Sequence, residues 1–408
     1  MRILFLAGGF DQIEYIEKLQ ARGNYIILAD YNKKPVGAEY ADKFCQVSTL
    51  DEEAILDLAR REKVDRVLTA CTDQALLTMA RVSAKLALPC YLSPETALTL
   101  TNKFYMKQKM HEFGILTARS EYIDNKEVNA SEFAFPLVVK PADCGSSKGV
   151  TKVNTRTELA LAVKNALALS RSNKAVIEEY IAGRELSVDA VVLGDRVELV
   201  GISENIKPQS EKYFPICQGK YDANMLSEDY IRRVEKIVQK IVKGFGLRNT
   251  VLIVQMIDTG KDFYVLEFSA RLGGGAKKNL LVKMSGLDMV EINLALMLGE
   301  TVAEIDNHFP LPGCVEINDI YTSDGIFKGW AGFRELQQAG YISEYYQFKP
   351  VGDRVSGAMD SVNRPLALMV EGKNAAETRK KREYILERIA IYNELNEDII
   401  IRKIWQDL

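Results

Sequence analysis

The stretch Phe135-Pro136-Leu137-Val138-Val139-Lys140-Pro141-Ala142-Asp143-Cys144-Gly145-Ser146-Ser147-Lys148-Gly149-Val150-Thr151-Lys152-Val153 reads as strand, tight loop and strand. The apolar run Leu137 to Val139 leads into Lys140 and Pro141, and Val150 to Val153 resume a strand pattern. A small, hydroxyl-rich, basic loop with two glycines can bring backbone N–H groups, two hydroxyls and an ammonium close to a polyphosphate. It is not a Walker loop, because the G-x-x-x-x-G-K-[S/T] order is missing and a strand follows. An ordinary polar hairpin turn would carry the same residues, so the rest of the chain has to decide between the two readings.

The chain has 408 residues, 47% hydrophobic and 27% charged, which is the profile of a globular enzyme of several domains. A formal net charge of -3 gives no electrostatic case for nucleic acid or an anionic membrane. No apolar run is long enough to span a bilayer. The start, Met1 to Ala7, is interrupted by Gly8, Gly9 and Asp11 and reads as a buried first strand. Six scattered cysteines without a C-x-x-C point to free thiols in a reducing cytoplasm. His111 and His308 are the only histidines, too few and too far apart for a zinc site or a Ser-His-Asp triad.

Taken in order, strands at 2–7, 25–29 and 64–69 alternate with helical patterns at 13–19, 51–62 and 73–87, which predicts a parallel, doubly wound sheet. Gly8-Gly9 followed by Asp30 lacks the G-x-G-x-x-G order, so a plain sheet domain is expected there, with room for a ligand near Gly8, Gly9, Asp30 and Thr72. Ser93-Pro94 starts a helix. Helix continues to Gly114, broken near Thr101-Asn102, and carries Lys103, Lys107 and Lys109, which an ordinary solvated basic face would also show. Thr155 and Glu158 form a capping-box signature. Strands follow at 176–181, 186–193 and 197–202, then an irregular polar segment to Pro215 and a helix from Ser227 to Gly244. Val251 to Ile257 and Phe263 to Phe268 make a hairpin around Asp258-Thr259-Gly260-Lys261. A helix at 287–298, a strand at 365–370 and a long charged helix from Asn374 to about Ile391 complete the pattern.

Gln255 and Glu267 sit on the two strands of that hairpin, and Ser269 and Arg271 share the face of Glu267 if the strand runs that far. Converging oxygen ligands suit Mg²⁺, which binds through one or two protein oxygens plus nucleotide phosphates. Arg271, beside Gly273 to Gly275, can grip a phosphate or carboxylate with its fork. Glu178-Glu179-Tyr180-Ile181 offers extended backbone to an adenine edge and Glu185 an acceptor for ribose hydroxyls, although a salt-bridged surface strand looks the same.

In this order and spacing, Asn102-Lys103, Val138-Val139-Lys140-Pro141, the Gly145–Gly149 loop, Glu178 to Ile181 with Gly183-Arg184-Glu185, and Gln255 with Glu267-x-Ser269-x-Arg271 resemble the ATP-grasp superfamily. The likeness extends to biotin carboxylase, carbamoyl phosphate synthetase, glycinamide ribonucleotide synthetase and the L-amino acid ligases. It implies an α/β chain with a doubly wound N-terminal pre-ATP-grasp domain over residues 1–92. A central two-lobed α+β ATP-grasp domain over 93–308 would follow, with a lid subdomain at about 118–185, and a small α+β C-terminal domain over 309–408. ATP and Mg²⁺ (or Mn²⁺) are the implied cofactors, and a homodimer is the family-based expectation. Lys103 and Lys140 would contact phosphates, and Gly145, Ser146, Ser147, Lys148 and Gly149 would form the lid over them. Glu178, Glu179, Tyr180 and Ile181 would frame adenine, and Glu185 the ribose. Gln255, Glu267 and Ser269 would be metal ligands, and Arg271 and Lys148 would serve catalysis. Ser269 stands where the family commonly has asparagine and Gln255 where it has glutamate, so the number of metal ions stays open. The implied reaction is ATP-dependent ligation of a small-molecule carboxylate to an amine through an acyl phosphate. Glycinamide ribonucleotide synthetase-like or carbamoyl-phosphate-type chemistry, or a catalytically degenerate ATP-binding protein, are the alternatives.

Overall fold

The computed structural model describes residues 1–124, 133–145, 147–208, 216–302, 304–358 and 363–406. The chain opens with β1 (Arg2–Leu6), α1 (Phe10–Ala21), β2 (Tyr25–Asp30), β3 (Lys43–Gln46), α2 (Glu52–Glu62), β4 (Arg66–Thr69) and α3 (Gln74–Lys85). The strands form a parallel sheet of order β3-β2-β1-β4. Both faces are apolar, as a parallel sheet flanked by crossover helices requires. Leu4, Leu6 and Ile27 share a core with α2 and α3, whereas Ile3, Phe5 and Ile26 share one with Tyr15, Ile16 and Leu19 of α1. Asp30 is committed to backbone: its carboxylate accepts Gly8 N–H at 2.9 Å and Asn32 N–H at 2.8 Å.

Two short helices, α4 (Pro94–Thr101) and α5 (Lys103–Glu112), lead onward. Ser93 caps the first through Thr96 N–H at 3.1 Å. Asn102 has extended backbone, which ends α4, and its side chain accepts Phe104 N–H at 3.0 Å, which starts α5. That cap places Lys103 in the first turn of α5 and Lys107 one turn further along the same face.

The segment expected to form the lid contains β5 (Ser120–Ile123), β6 (Leu137–Pro141), β7 (Thr151–Val153), α6 (Arg156–Leu169) and β8 (Ala175–Glu179). Its antiparallel sheet has the order β5-β8-β6-β7. Leu137, Val139 and Ile177 pack on Leu159, Ala162, Val163 and Ala166 of α6. Strand alternation sends Lys140 and Glu178 to the opposite face. The Thr155–Glu158 signature is realised: Glu158 N–H donates to Thr155 Oγ1 at 3.2 Å, and the Glu158 carboxylate accepts Asn154 N–H at 2.7 Å.

The main sheet gathers β9 (Arg184–Leu193), β10 (Arg196–Ile206), β11 (Gln218–Asp222), β12 (Thr250–Asp258) and β13 (Phe263–Ser269), with helices α7 (Glu228–Phe245), α8 (Lys277–Ser285) and α9 (Met289–Leu298). The segment from Arg196 is more regular than expected, because β10 runs unbroken to Ile206. Arg271 lies beyond the end of β13, so strand alternation does not place it. Alternation sorts β9 into two faces: Val188, Ala190 and Val192 enter the core that holds Val234, Val238 and Ile241 of α7, and Ser187 and Asp189 face the other way. On that second side Val191, Val200 and Val251 pack on Leu280, Leu281 and Met284 of α8. Helix α8 was not foreseen.

From Cys314 the chain adds β14 (Cys314–Ile320), β15 (Gly325–Ile326), β16 (Gly329–Ala331), α10 (Phe333–Gln338), β17 (Glu344–Gln347), β18 (Arg354–Val355), β19 (Leu366–Gly372), α11 (Ala375–Leu386), β20 (Ala390–Tyr392) and α12 (Lys403–Gln406). The charged helix therefore stops at Leu386, short of Ile391, which instead pairs in β20 with Trp330. Strands β14, β19 and β17 extend the main sheet to eight strands, β13-β12-β9-β10-β11-β14-β19-β17. One sheet thus crosses the expected boundary at 308/309. Buried Glu316 of β14 is neutralised by Arg382 at 3.2 Å and hydrogen-bonded by Thr378 at 2.7 Å and Gln218 at 2.9 Å. The N-terminal domain is fastened to the rest through α1: Lys18 meets Asp288 at 2.8 Å, and Asn293 donates to the Tyr15 hydroxyl at 3.0 Å. Among the described residues, no helix is long and apolar enough to cross a membrane.

Gly183 makes the turn from the lid sheet into the main sheet. A Cβ there would lie 2.4 Å from the Asp258 carbonyl oxygen and 2.6 Å from Ile257 Cγ2. Gly183→Ala should therefore cost about 2 kcal/mol of stability, as overpacking does, read as a lowered urea midpoint with an unchanged m-value.

Candidate active site

A cavity of about 360 Å³ lies where the N-terminal domain, the lid loop and the main sheet meet. It brings together Lys103, Gly145, Ser147, Gln255, Glu267, Ser269 and Arg271 from the sequence-derived set. Gln255 and Glu267 face each other across β12 and β13, next to a bulge at Gln255/Met256. Asp11, Cys71 and Asp73 enter from the N-terminal domain, and Asp319 and Arg364 from the C-terminal block. Lys140, Lys148, Gly149, Glu178, Glu179, Tyr180, Ile181 and Glu185 lie outside this lining. Ser146 lies outside the described residues.

The helix α5 joins the two halves of the expected cleft. Lys103 Nζ is 3.1 Å from Glu267 Oε2 and donates to the Cys144 carbonyl at 2.7 Å, so it touches the main sheet and the lid loop together. Four residues on, Lys107 Nζ is 3.3 Å from Glu178 Oε1 and donates to Thr117 Oγ1 at 2.8 Å. The other oxygen of Glu178 takes Lys140 Nζ at 2.8 Å. Glu178 is only 2% exposed and Lys107 4%. Lys103 and Lys107 are thus the link between Lys140 and Glu267, not part of a solvated basic face. The i, i+4 spacing of Lys103 and Lys107 was the available signal; it shows one helical face but not what covers it.

These pairs set the protonation states. Burial pushes the Glu178 carboxyl up, but Lys107 and Lys140 outweigh it and hold the group below its ordinary value. Burial would lower Lys103, yet Glu267 beside it keeps the ammonium above its usual range. For Lys107 burial prevails and its pKa is lowered despite Glu178. Burial also pushes Asp73 up, and Arg271 overrides it, so that carboxyl stays below the ordinary range. Asp11 is raised by burial, with Gly275 N–H opposing, and the neighbouring Cys71 thiol is pushed up to about 12.

The remaining expected residues have their own partners. Glu179 pairs with Arg119 at 2.9 Å, and Lys152 sits 4.0 Å from the centre of the Tyr180 ring. Glu185 accepts Asn205 Nδ2 at 3.0 Å and pairs with Lys207. In the lid loop Ser147 has φ 57° and Lys148 N–H closes a turn onto the Gly145 carbonyl at 3.1 Å.

For a divalent cation the wall offers the Glu267 carboxylate, the Gln255 amide and the Ser269 hydroxyl. Ser269 Oγ is buried beside Asp73 without a well-formed hydrogen bond. Among the described residues, no cluster of three or more His, Cys, Asp or Glu forms a metal cage. A single carboxylate with neutral oxygens fits Mg²⁺ that arrives with phosphates and keeps waters, rather than an ion held by protein alone.

Residues 109–273 match the protein family described as D-ala D-ala ligase C-terminus. The carbamoyl phosphate synthase large chain of Clostridium botulinum is 22% identical over 308 residues, which cover 72% of this chain and 28% of that relative. The match therefore spans little more than a quarter of such relatives' length. The crystal structure of the L-amino acid ligase from Bacillus licheniformis superimposes with a TM-score of 0.80 at 19% identity, covering 96% of this chain and 98% of the other. The biotin carboxylase domain of the Hydrogenobacter thermophilus 2-oxoglutarate carboxylase, crystallised with MgADP, ADP and bicarbonate, gives a TM-score of 0.76 at 16% identity, with 96% and 90% of the two chains covered. At such identities the structural likeness establishes the fold.

Glu178→Gln leaves two lysines facing a neutral amide and should cost about 3 kcal/mol at pH 7, the scale for breaking a buried pair, measured by urea denaturation. Because the Glu178 carboxyl ionises below its ordinary range, its contribution is complete above the unfolded pKa and fades as pH falls through the lower folded one. The variant should therefore lose less stability than the wild type between neutral pH and the acid limb.

Proposed function

We propose, from an ATP-grasp domain at residues 109–273 within a chain that has the ATP-grasp ligase fold throughout, that this protein is an ATP-dependent carboxylate–amine ligase. The observation that carries the reading is the link through α5, where Lys103 meets Glu267 and Lys107 meets the Glu178 that holds Lys140. Lys140 of the lid and Glu267 of the main sheet are thereby connected through one helix, although Lys140 itself lies outside the cavity lining.

A carboxylate is a poor acyl donor because its leaving group would be oxide. One carboxylate oxygen attacks the γ-phosphorus of ATP, the bond to the β–γ bridging oxygen breaks, and ADP leaves with that electron pair. The amine nitrogen then attacks the acyl carbon, the bond to the phosphate oxygen breaks, and the amine proton passes to the released phosphate. In-line phosphoryl transfer asks for positioning and charge neutralisation more than for covalent help. Lys103 and Lys140 would hold phosphates, the 145–149 loop would cover them, and Arg271 would orient the carboxylate or acyl phosphate. Glu178 would fix Lys140 from behind. The family reading also gives Glu178, Glu179, Tyr180 and Ile181 to adenine, Glu185 to ribose and Lys148 to the transferring phosphoryl group. Glu267, with Gln255 and Ser269, would hold Mg²⁺, or Mn²⁺ in its place, which when bound neutralises phosphate charge. An acyl phosphate hydrolyses readily, so exclusion of water by the loop belongs to the same design.

A second reading rests on Gln255 and Ser269, both neutral: an ATP-binding protein that has lost turnover. ADP release with a panel of carboxylates and amino acids separates the two. Glu267→Ala should abolish release, whereas His111→Ala, in the last turn of α5 on the C-terminal side of both lysines, should stay within about twofold, the scale of a surface change. Equal losses in both variants would place the site elsewhere.

A further inference from the structure

Arg271 reaches the cavity from the segment after β13, but its orientation is decided by a different domain. Asp73 stands at the head of α3, in the loop after β4. Its Oδ1 accepts Arg271 Nε–H at 2.7 Å, and its Oδ2 accepts from Nη2. Arg271 Nη1 donates to the Leu272 carbonyl at 2.8 Å. A guanidinium has five N–H donors in a fixed fork. Three are committed, and the other two, one on each terminal nitrogen, remain for a ligand. The pair is sheltered, with Arg271 15% and Asp73 30% exposed, so it differs from a surface ion pair that orders nothing.

A second carboxylate of the N-terminal domain fixes the same segment. Both oxygens of Asp11 accept Gly275 N–H, at 2.9 and 3.0 Å. A Cβ on Gly274 would come 2.8 Å from Asp11 Oδ2, which explains a glycine there. The lid reaches this point too, since a Cβ on Gly145 would lie 3.6 Å from Asp73 Oδ2.

We propose that Asp73 is a positioning residue, which aims the two uncommitted N–H groups of Arg271 at the carboxylate or acyl phosphate in the cavity. The N-terminal domain then takes part in the reaction without binding nucleotide. This rests on the ligase reading given above.

The test is a double-mutant cycle in the full chain with Asp73→Asn, Arg271→Gln and the pair. ADP release is followed against an equimolar pool of the twenty L-amino acids and the carboxylates of the ADP-release panel, and MgADP affinity is measured by calorimetry. Asp73→Asn should lower kcat/KM for the pool by about 10²-fold, the scale of a misplaced catalytic contact, with MgADP affinity within about twofold of wild type. The double variant should be no worse than Arg271→Gln alone, because Asp73 acts only through Arg271. Asp73→Asn turnover at the wild-type level, losses that multiply in the double variant, or MgADP affinity that falls in step with turnover would each overturn the assignment. A wild type that binds MgADP and releases no ADP with the pool would overturn the ligase reading and the assignment together; an active wild type with an unaffected Asp73→Asn overturns the assignment alone.

Discussion

Buried charge has to be matched, and that constraint shapes the centre of this protein. Lys103, Lys107, Lys140 and Arg271 converge on one region, and each is held by an acid that comes from another element: Glu267, Glu178 and Asp73. An unpaired ammonium or guanidinium at such depth would give up its proton, where it can, or unfold its surroundings. Pairing with Glu267 and Asp73 keeps Lys103 and Arg271 charged, and the proposed triphosphate would need them charged.

The pairs also tie the parallel sheet, the β5-β8-β6-β7 sheet and the main sheet to one another. Helix α5 is short, yet it connects the lid sheet through Lys107 and the main sheet through Lys103. In the N-terminal sheet Asp30 is absorbed by backbone, and Asp11 and Asp73 hydrogen-bond the segment after β13. The C-terminal strands complete the main sheet, and Asp319 of β14 and Arg364, just before β19, line the cavity. Chemistry would occur where short connections from all three meet, as is common for loops held on rigid sheets.

Much of this was legible in the chain itself. The hairpin pattern put Gln255 and Glu267 on neighbouring strands, and the register sets the two directly opposite each other. Ser93, Thr155 and Ser227 announced their helices because a capping side chain leaves a local mark. What was hidden is long-range. Lys107 looks like any solvated lysine until Glu178, far along the sequence, is laid against it. Asp73 is an ordinary residue at a helix head until Arg271 arrives from 198 positions away. Helix α8 follows three glycines and has weak amphipathic patterning, so only its packing on β10 reveals it. The boundary at 308/309 reads as a change in composition, whereas hydrogen bonding carries the same sheet across it.

The central claim, that Lys140 and Glu267 serve one triphosphate, is tested most directly by anomalous diffraction from crystals grown with Mn²⁺ and a non-hydrolysable ATP analogue. The account predicts an anomalous peak within coordination distance of Glu267 and phosphates lying between Lys103, Lys140 and the 145–149 loop. Phosphates bound instead at the ends of the parallel sheet beside Gly8 and Asp30, or a metal peak remote from Glu267, would contradict it.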